Sequence, residues 1–93
     1  MEEDMEFIND PNFTYLYESP IGLFFIRYNQ CLGKWDLGMD DEIFGNYWTS
    51  TAAADDVYCQ ATGCNEWDSL DIQKIIAEVP NDINEWERIP RLN

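Results

Sequence analysis

Short apolar runs alternate with polar turns through the first half of the chain, which is typical of an antiparallel sheet. The run from Leu23 to Tyr28 is the most apolar, and we predict that it forms the central strand. The first two strands are expected to form a hairpin, and residues 38–42 are predicted to be an acidic loop. The predicted strands cover residues 13–17, 23–28, 31–37 and 43–48.

A helix is predicted directly after the fourth strand, from about Thr51 to Thr62. The hydroxyl side chains of residues 49–51 are candidate N-caps, because they can accept hydrogen bonds from the free N–H groups of the first turn. Three alanines follow, and Gly63 is suited to end the helix. The apolar positions repeat at helical spacing on one face, at Ala54, Val57, Tyr58 and Ala61.

The C-terminal part is predicted to be helical. A second helix is expected over Leu70 to Glu78, and a last helical turn over Ile83 to Ile89, each followed by a proline. The pattern Asn-Glu-Trp-acid-x-aliphatic occurs twice, at residues 65–70 and 84–89. We interpret each tryptophan as a core residue at a helix end. The alternative is that the acids flank an exposed ring on a contact surface.

The sequence therefore predicts an α+β fold in one domain over residues 1–93. A three- to four-stranded antiparallel sheet (about 13–48) packs against a helix (about 51–62), with a helical C-terminal segment, and residues 1–6 are expected to be a frayed acidic tail. This tail lacks the basic residues of a secretory signal. The three cysteines are odd in number and fit free thiols in a reducing cytosol, so a cytoplasmic location is expected. A homodimer is left open.

Negative charge is the strongest feature of the composition. Nineteen acidic residues face five basic ones, which gives a net charge of −14 and a pI near 4.1. Phosphate binding needs cations, so direct binding to nucleic acid is not expected. Anionic membranes would repel the chain as well. Such a surface is suited to a basic partner, which it would attract by electrostatic steering.

The residue types exclude several kinds of chemistry. The chain has no histidine, so Ser–His and Cys–His nucleophiles are ruled out. It also lacks a glycine-rich phosphate loop and the spacing of a zinc or EF-hand site, although Asp36 with residues 40–42 could hold calcium weakly. Carboxylate pairs abound but arise by chance in so acidic a chain. We therefore expect no enzyme activity, no cofactor and no metal.

The candidate contact residues are acids spread over the predicted loop, helix and turn. Side chains one helical turn apart lie about 5–6 Å apart at Cβ, and alternate residues of a strand about 7 Å apart. Carboxylates in such rows resemble the charges of a nucleic-acid backbone, with aromatic rings as anchors. The alternative is that the charge only keeps the protein soluble. The candidates are Asp40, Asp41, Glu42, Asp55, Asp56, Glu66 and Asp68, with Trp67 and Tyr47 as anchors.

Two segments carry a resemblance to a known group of proteins. AAADDVYCQATGCNEWDSL (Ala52 to Leu70) and VPNDINEWERI (Val79 to Ile89) resemble a pattern in small proteins of bacteriophages and prophages. The size and acidity are also similar to those of phage anti-CRISPR and anti-restriction proteins, several of which mimic DNA. The resemblance of the two segments implies a phage or prophage setting and carries no known activity. From the charge and the similarity in composition, we expect an inhibitor in the host cytosol that blocks a nucleic-acid-binding defence complex. The alternatives are an immunity protein or antitoxin for a basic nuclease, and a phage accessory protein without inhibitory role.

Overall fold

The computed structural model describes residues 10–71 and 79–91, which contain a five-stranded antiparallel sheet. The strands lie side by side in the order β4-β3-β2-β1-β5, so β2 is central, as predicted, and β4 and β5 are the edges. The α+β class is confirmed, with one strand more than the sequence predicted. The strands are β1 (Phe13–Ser19), β2 (Gly22–Asn29), β3 (Lys34–Met39), β4 (Glu42–Tyr47) and β5 (Glu87–Pro90).

The strand alternation sorts the side chains onto two faces of the sheet. Tyr15, Ile26 and Leu37 lie opposite one another on β1, β2 and β3, and all three are buried. Because successive side chains point to opposite faces, Leu23 and Arg27 of β2 lie on the other face, where both are exposed. The core therefore forms on one face, and the second is called the open face below.

Turn chemistry moves the third strand relative to its predicted position. Asn29 accepts hydrogen bonds at its side-chain oxygen from the N–H groups of Cys31 and Leu32, and Gly33 takes a positive φ of 66°. The chain is thereby held in a turn until Lys34, three residues past the predicted start. At its other end β3 continues to Met39, so the predicted loop 38–42 shrinks to a tight turn at residues 40–41.

The predicted helix is present as α1 (Ser50–Tyr58), which covers the core face of the sheet. The side chain of Thr49 caps it by accepting a hydrogen bond from the N–H of Ala52 at 3.0 Å. The predicted end at Thr62 is wrong, because the chain turns at Gln60, whose φ is 55°. The Gln60 amide donates to the carbonyl oxygens of Trp67 and Leu70, so tertiary contacts end the helix before Gly63.

The C-terminal part differs most from the sequence prediction. A short helix α2 (Asn65–Asp68) and a 3₁₀ turn (Ile83–Glu85) are present, and the chain then becomes strand β5. The predicted helical turn over Ile83 to Ile89 is therefore wrong after Glu85, because the backbone of β5 pairs with β1 along its length. Residues 72–78 of the predicted second helix, and the predicted tail 1–6, lie outside the described residues.

Aromatic rings fill the space between the sheet and the helical layer. Trp67 and Trp86, the tryptophans of the repeated pattern, are 0% and 5% exposed, which confirms their interpretation as core residues. The ring centroid of Trp67 lies 5.1 Å from that of Phe24, in an edge-on contact. Tyr17 contacts both tryptophans. These contacts hold α2 and the 3₁₀ turn to the same face of the sheet.

Candidate functional site

Predicted contact acids lie along the β4 side of the molecule. The turn that contains Asp40 and Asp41 leads into Glu42, the first residue of β4. At the other end of this strand, the Tyr47 hydroxyl donates to the carboxylate of Asp56 on α1, at 2.7 Å. We call this region, together with α2, the acidic edge. It comprises Asp40, Asp41, Glu42, Asp56, Glu66 and Asp68.

Tyr47 connects β4 to α1 rather than standing free as an anchor. Its side chain is half-buried. Burial raises the pKa of the Tyr47 hydroxyl well above its usual value, and the hydrogen bond to Asp56 and the negative charges of Asp56 and Asp68 raise it further. The hydroxyl therefore stays protonated and keeps its role as a donor. The effect of Asp68 also places that carboxylate near the same edge of the sheet.

Asp68 is an internal structural residue. Its carboxylate accepts hydrogen bonds from the N–H of Thr62 at 3.0 Å, from the Thr62 hydroxyl at 2.8 Å and from the N–H of Gly63 at 2.9 Å. Both carboxylate oxygens are therefore occupied within the molecule, and they fix the loop between α1 and α2. The role of Asp68 as a contact residue, predicted from the sequence, is secondary to this structural role.

The prediction that Trp67 anchors a partner is wrong. The side chain is fully buried, and its indole N–H donates to the carbonyl oxygen of Val57 at 2.8 Å. Among the residues that the structure describes, the large aromatic side chain that is exposed is that of Trp48, directly after β4, with 76% of its surface accessible. The ammonium group of Lys34 lies 4.5 Å from the centroid of its ring. Sequence reasoning placed Trp48 in a strand, and no local signal distinguishes an outward-facing ring from a buried one.

The remaining candidate acids are accessible. Asp40, Asp41, Glu42, Asp55 and Glu66 are all exposed, Asp55 on the outer side of α1 and the other four on the acidic edge. Their negative charge is not offset by neighbours in sequence. Between Trp35 and Glu87 the described residues include no lysine or arginine but twelve acids, namely Asp36, Asp40, Asp41, Glu42, Asp55, Asp56, Glu66, Asp68, Asp71, Asp82, Glu85 and Glu87.

The cations of the described chain lie on other elements. Arg27 is on the central strand, Lys34 begins β3, Arg88 is in β5 and Arg91 follows β5. Since β5 is the edge opposite β4, two of the four cations lie at the far side of the sheet from the acidic edge. The β5 side also carries Glu85 and Glu87, so the cations there are accompanied by acids, whereas Asp40, Asp41 and Glu42 have no basic residue next to them in sequence.

Asp36 differs from the candidate contact acids because it is buried. It is 6% exposed and accepts hydrogen bonds from the side-chain amides of Asn29 and Asn46 across β2, β3 and β4. Asp36 therefore acts as a polar bridge between strands.

Within residues 10–71 and 79–91, no group of three or more His, Cys, Asp or Glu side chains is arranged to hold a metal ion.

Comparisons with protein-family models, with curated proteins and with solved structures gave no match for this chain. In the described part of the chain, no helix combines the length and the apolar character that a membrane crossing requires.

Proposed function

We propose that this protein is a non-enzymatic phage inhibitor that binds the basic nucleic-acid-binding surface of a host defence complex in the host cytosol. It would act as an anti-CRISPR or anti-restriction protein, and it would compete with DNA for the binding surface of a CRISPR or restriction complex. The observation that supports the proposal is the exposure of Asp40, Asp41, Glu42 and Glu66 on the acidic edge, in a stretch from residue 35 to residue 71 that contains no lysine or arginine.

The rigidity of this edge favours electrostatic recognition. Asp40 and Asp41 lie in a tight hairpin turn, and Glu42 is held in the β4 ladder opposite Met39. A backbone fixed on a sheet loses little freedom when it meets a cationic groove, so the ordering cost of binding is limited to the side chains. Asp56 and Asp68 add charge to the same side while they serve the fold.

The arrangement also predicts how binding responds to salt. Exposed charge pairs are screened over about 10 Å at 0.1 M ionic strength, so a partner held by this edge must dissociate as salt rises. A partner held by apolar surface would not respond in this way. Salt dependence therefore separates inhibition by charge mimicry from the role of an accessory protein whose acids only maintain solubility.

The test is capture of partners from a bacterial host lysate, with washes from about 0.05 to 0.5 M NaCl and elution by double-stranded DNA. We expect a nucleic-acid-binding protein that is released both by salt and by DNA. The variant D41N/E42Q removes two charges from the acidic edge, and E85Q/E87Q removes two exposed charges near β5 as the matched control. The first should weaken capture several-fold more than the second.

Three results would overturn the proposal: a captured partner that resists salt, a partner that DNA does not displace, or equal weakening by the two variants. A captured nuclease whose toxicity the protein relieves would instead identify an immunity protein or antitoxin, the principal alternative. This alternative uses the same electrostatics, so the identity of the partner decides between them.

A further inference from the structure

The open face of the sheet carries a concave pocket of about 450 Å³. Its size is within the range of pockets that hold small molecules, about 300–1,000 Å³. It lies over β1, β2 and β5, on the side away from α1. The residues that line it include Thr14, Leu16, Phe25, Arg27, Ile89 and Arg91.

The floor of the pocket is apolar and fixed by the sheet. Leu16 and Phe25 lie directly opposite each other on β1 and β2, and Thr14 lies opposite Ile89 on β5. The Phe25 ring extends over Gly38 of β3, where a Cβ atom would collide with it. Glycine at this position therefore lets the ring lie close to the sheet, where it can act as a flat contact surface for a ligand.

Two guanidinium groups line the same pocket. Arg27 lies over the Phe25 ring, with its guanidinium carbon 4.7 Å from the ring centroid. Arg91 follows β5, and its backbone N–H donates to the carbonyl oxygen of Asn12 at 2.7 Å, which continues the pairing with β1. The Arg27 guanidinium is thus held on the apolar floor by its ring contact, and the backbone of Arg91 is fixed beside it. Guanidinium groups bind carboxylate, phosphate and sulfonate groups with paired hydrogen bonds.

We propose that this pocket binds a small organic anion. Its single carboxylate, phosphate or sulfonate group is held by Arg27 and Arg91, and its aromatic or aliphatic body lies on Leu16 and Phe25. Asp40 lines the pocket as well. Its carboxylate repels the anionic group and so directs it toward the arginines. The chain has only five basic residues. Two of them line this one pocket, and the fold by itself does not require them there.

The net charge of the protein restricts the ligand to a small one. Repulsion by fourteen net negative charges grows with each phosphate of a polyanion. A ligand with one anionic group meets two local cations within the screening distance of about 10 Å. A nucleic-acid strand on this face is therefore disfavoured, and a small amphipathic anion is favoured. This site is separate from the contact surface proposed above, apart from Asp40, which belongs to both.

The test uses two fluorescent probes of nearly equal shape: 8-anilinonaphthalene-1-sulfonate, which is anionic, and N-phenyl-1-naphthylamine, which is neutral. We expect the anionic probe to bind with one-to-one stoichiometry and at least tenfold more tightly than the neutral one. Arg27→Gln should weaken the anionic probe about tenfold and leave the neutral probe within twofold. Arg91→Gln should act in the same direction.

Lys34→Gln is the matched control, because it removes one cation from the same face outside this pocket. It should change binding of the anionic probe by less than twofold, and the conservative variant Arg27→Lys should recover part of the lost affinity. Near-ultraviolet circular dichroism of each variant reports whether the aromatic core is intact.

The proposal is overturned if both probes bind equally, if Lys34→Gln and Arg27→Gln weaken binding alike, or if the anionic probe binds at many weak sites. A single-stranded oligonucleotide that binds this face more tightly than the probe would also overturn it. Asp40→Asn separates the two proposals: it should leave or strengthen binding of the anionic probe, whereas it should weaken capture of a basic partner.

Discussion

Replacement of Asp68 by alanine tests whether this acid supports the fold. The carboxylate accepts three hydrogen bonds from Thr62 and Gly63, between 2.8 and 3.0 Å. A buried hydrogen bond to a charged group contributes about 1.5–3 kcal/mol, and Asp68 is only half-buried, so we take about 1 kcal/mol for each. Asp68→Ala should then lower the free energy of unfolding by about 2–3 kcal/mol.

The expected change is large enough for standard assays. For a domain of this size, 1 kcal/mol corresponds to about 4–8 °C in melting temperature, so the midpoint should fall by about 10–20 °C. Urea unfolding followed by tryptophan fluorescence gives the free energy directly, because Trp67 and Trp86 are buried. Asp68→Asn keeps one acceptor oxygen and should lose about half as much.

Asp55→Ala is the control for removal of a negative charge from the same helical layer. Asp55 is exposed on α1, so its replacement should change the free energy of unfolding by no more than about 0.5 kcal/mol. The reasoning is refuted if Asp68→Ala and Asp55→Ala have equal stabilities. Asp68 would then be one more surface charge, and its hydrogen bonds would add nothing beyond those that water supplies.

Three further predictions concern the core, the sheet and alkaline pH. Trp67→Phe should cost about 1–3 kcal/mol in urea unfolding, because it removes both the bicyclic ring volume and the donor to the carbonyl oxygen of Val57, and a neutral result would contradict the buried placement. Gly38→Ala should destabilise the protein by more than about 1 kcal/mol, since the added Cβ collides with the backbone carbonyl oxygen of Glu42 as well as with the Phe25 ring, and unchanged thermal melting would refute it. Tyr47 has a folded-state pKa raised above its ordinary value of 10.0. Its contribution to stability is therefore complete below pH 10 and lost as pH rises further, because only the unfolded chain releases the proton. Tyr47→Phe should reduce this alkaline loss in urea midpoints measured from about pH 9 to 11, and identical profiles would contradict it.

The two surfaces proposed for binding differ in kind. The acidic edge presents several carboxylates to a large basic partner, and the open-face pocket presents two guanidinium groups to a small anion. Their separation follows from the sheet order, which places β4 and β5 at opposite edges. Variants on one side can therefore be tested with little effect on the other, except at Asp40.

Local features of the sequence determined the elements that depend on near neighbours. The apolar run from Leu23 to Tyr28 identified the central strand, and the hydroxyl residues before three alanines identified α1, which starts at Ser50, one residue before the predicted start. These predictions succeed because strand alternation and helix capping are contacts between residues a few positions apart. The net charge is likewise a property of composition, and so is the expectation of a basic partner.

Only the tertiary structure decided the features that depend on distant residues. Residues 87–90 have no strong strand pattern and become β5 because β1 offers its free edge. Trp67 is buried and Trp48 is exposed, although both are tryptophans beside short polar segments. The carboxylate of Asp68 accepts hydrogen bonds from the loop at Thr62. Arg27 and Arg91, which are far apart in sequence, line the same pocket. Each outcome follows from pairings between segments far apart in the chain, whose free energy is not encoded in any short window of sequence.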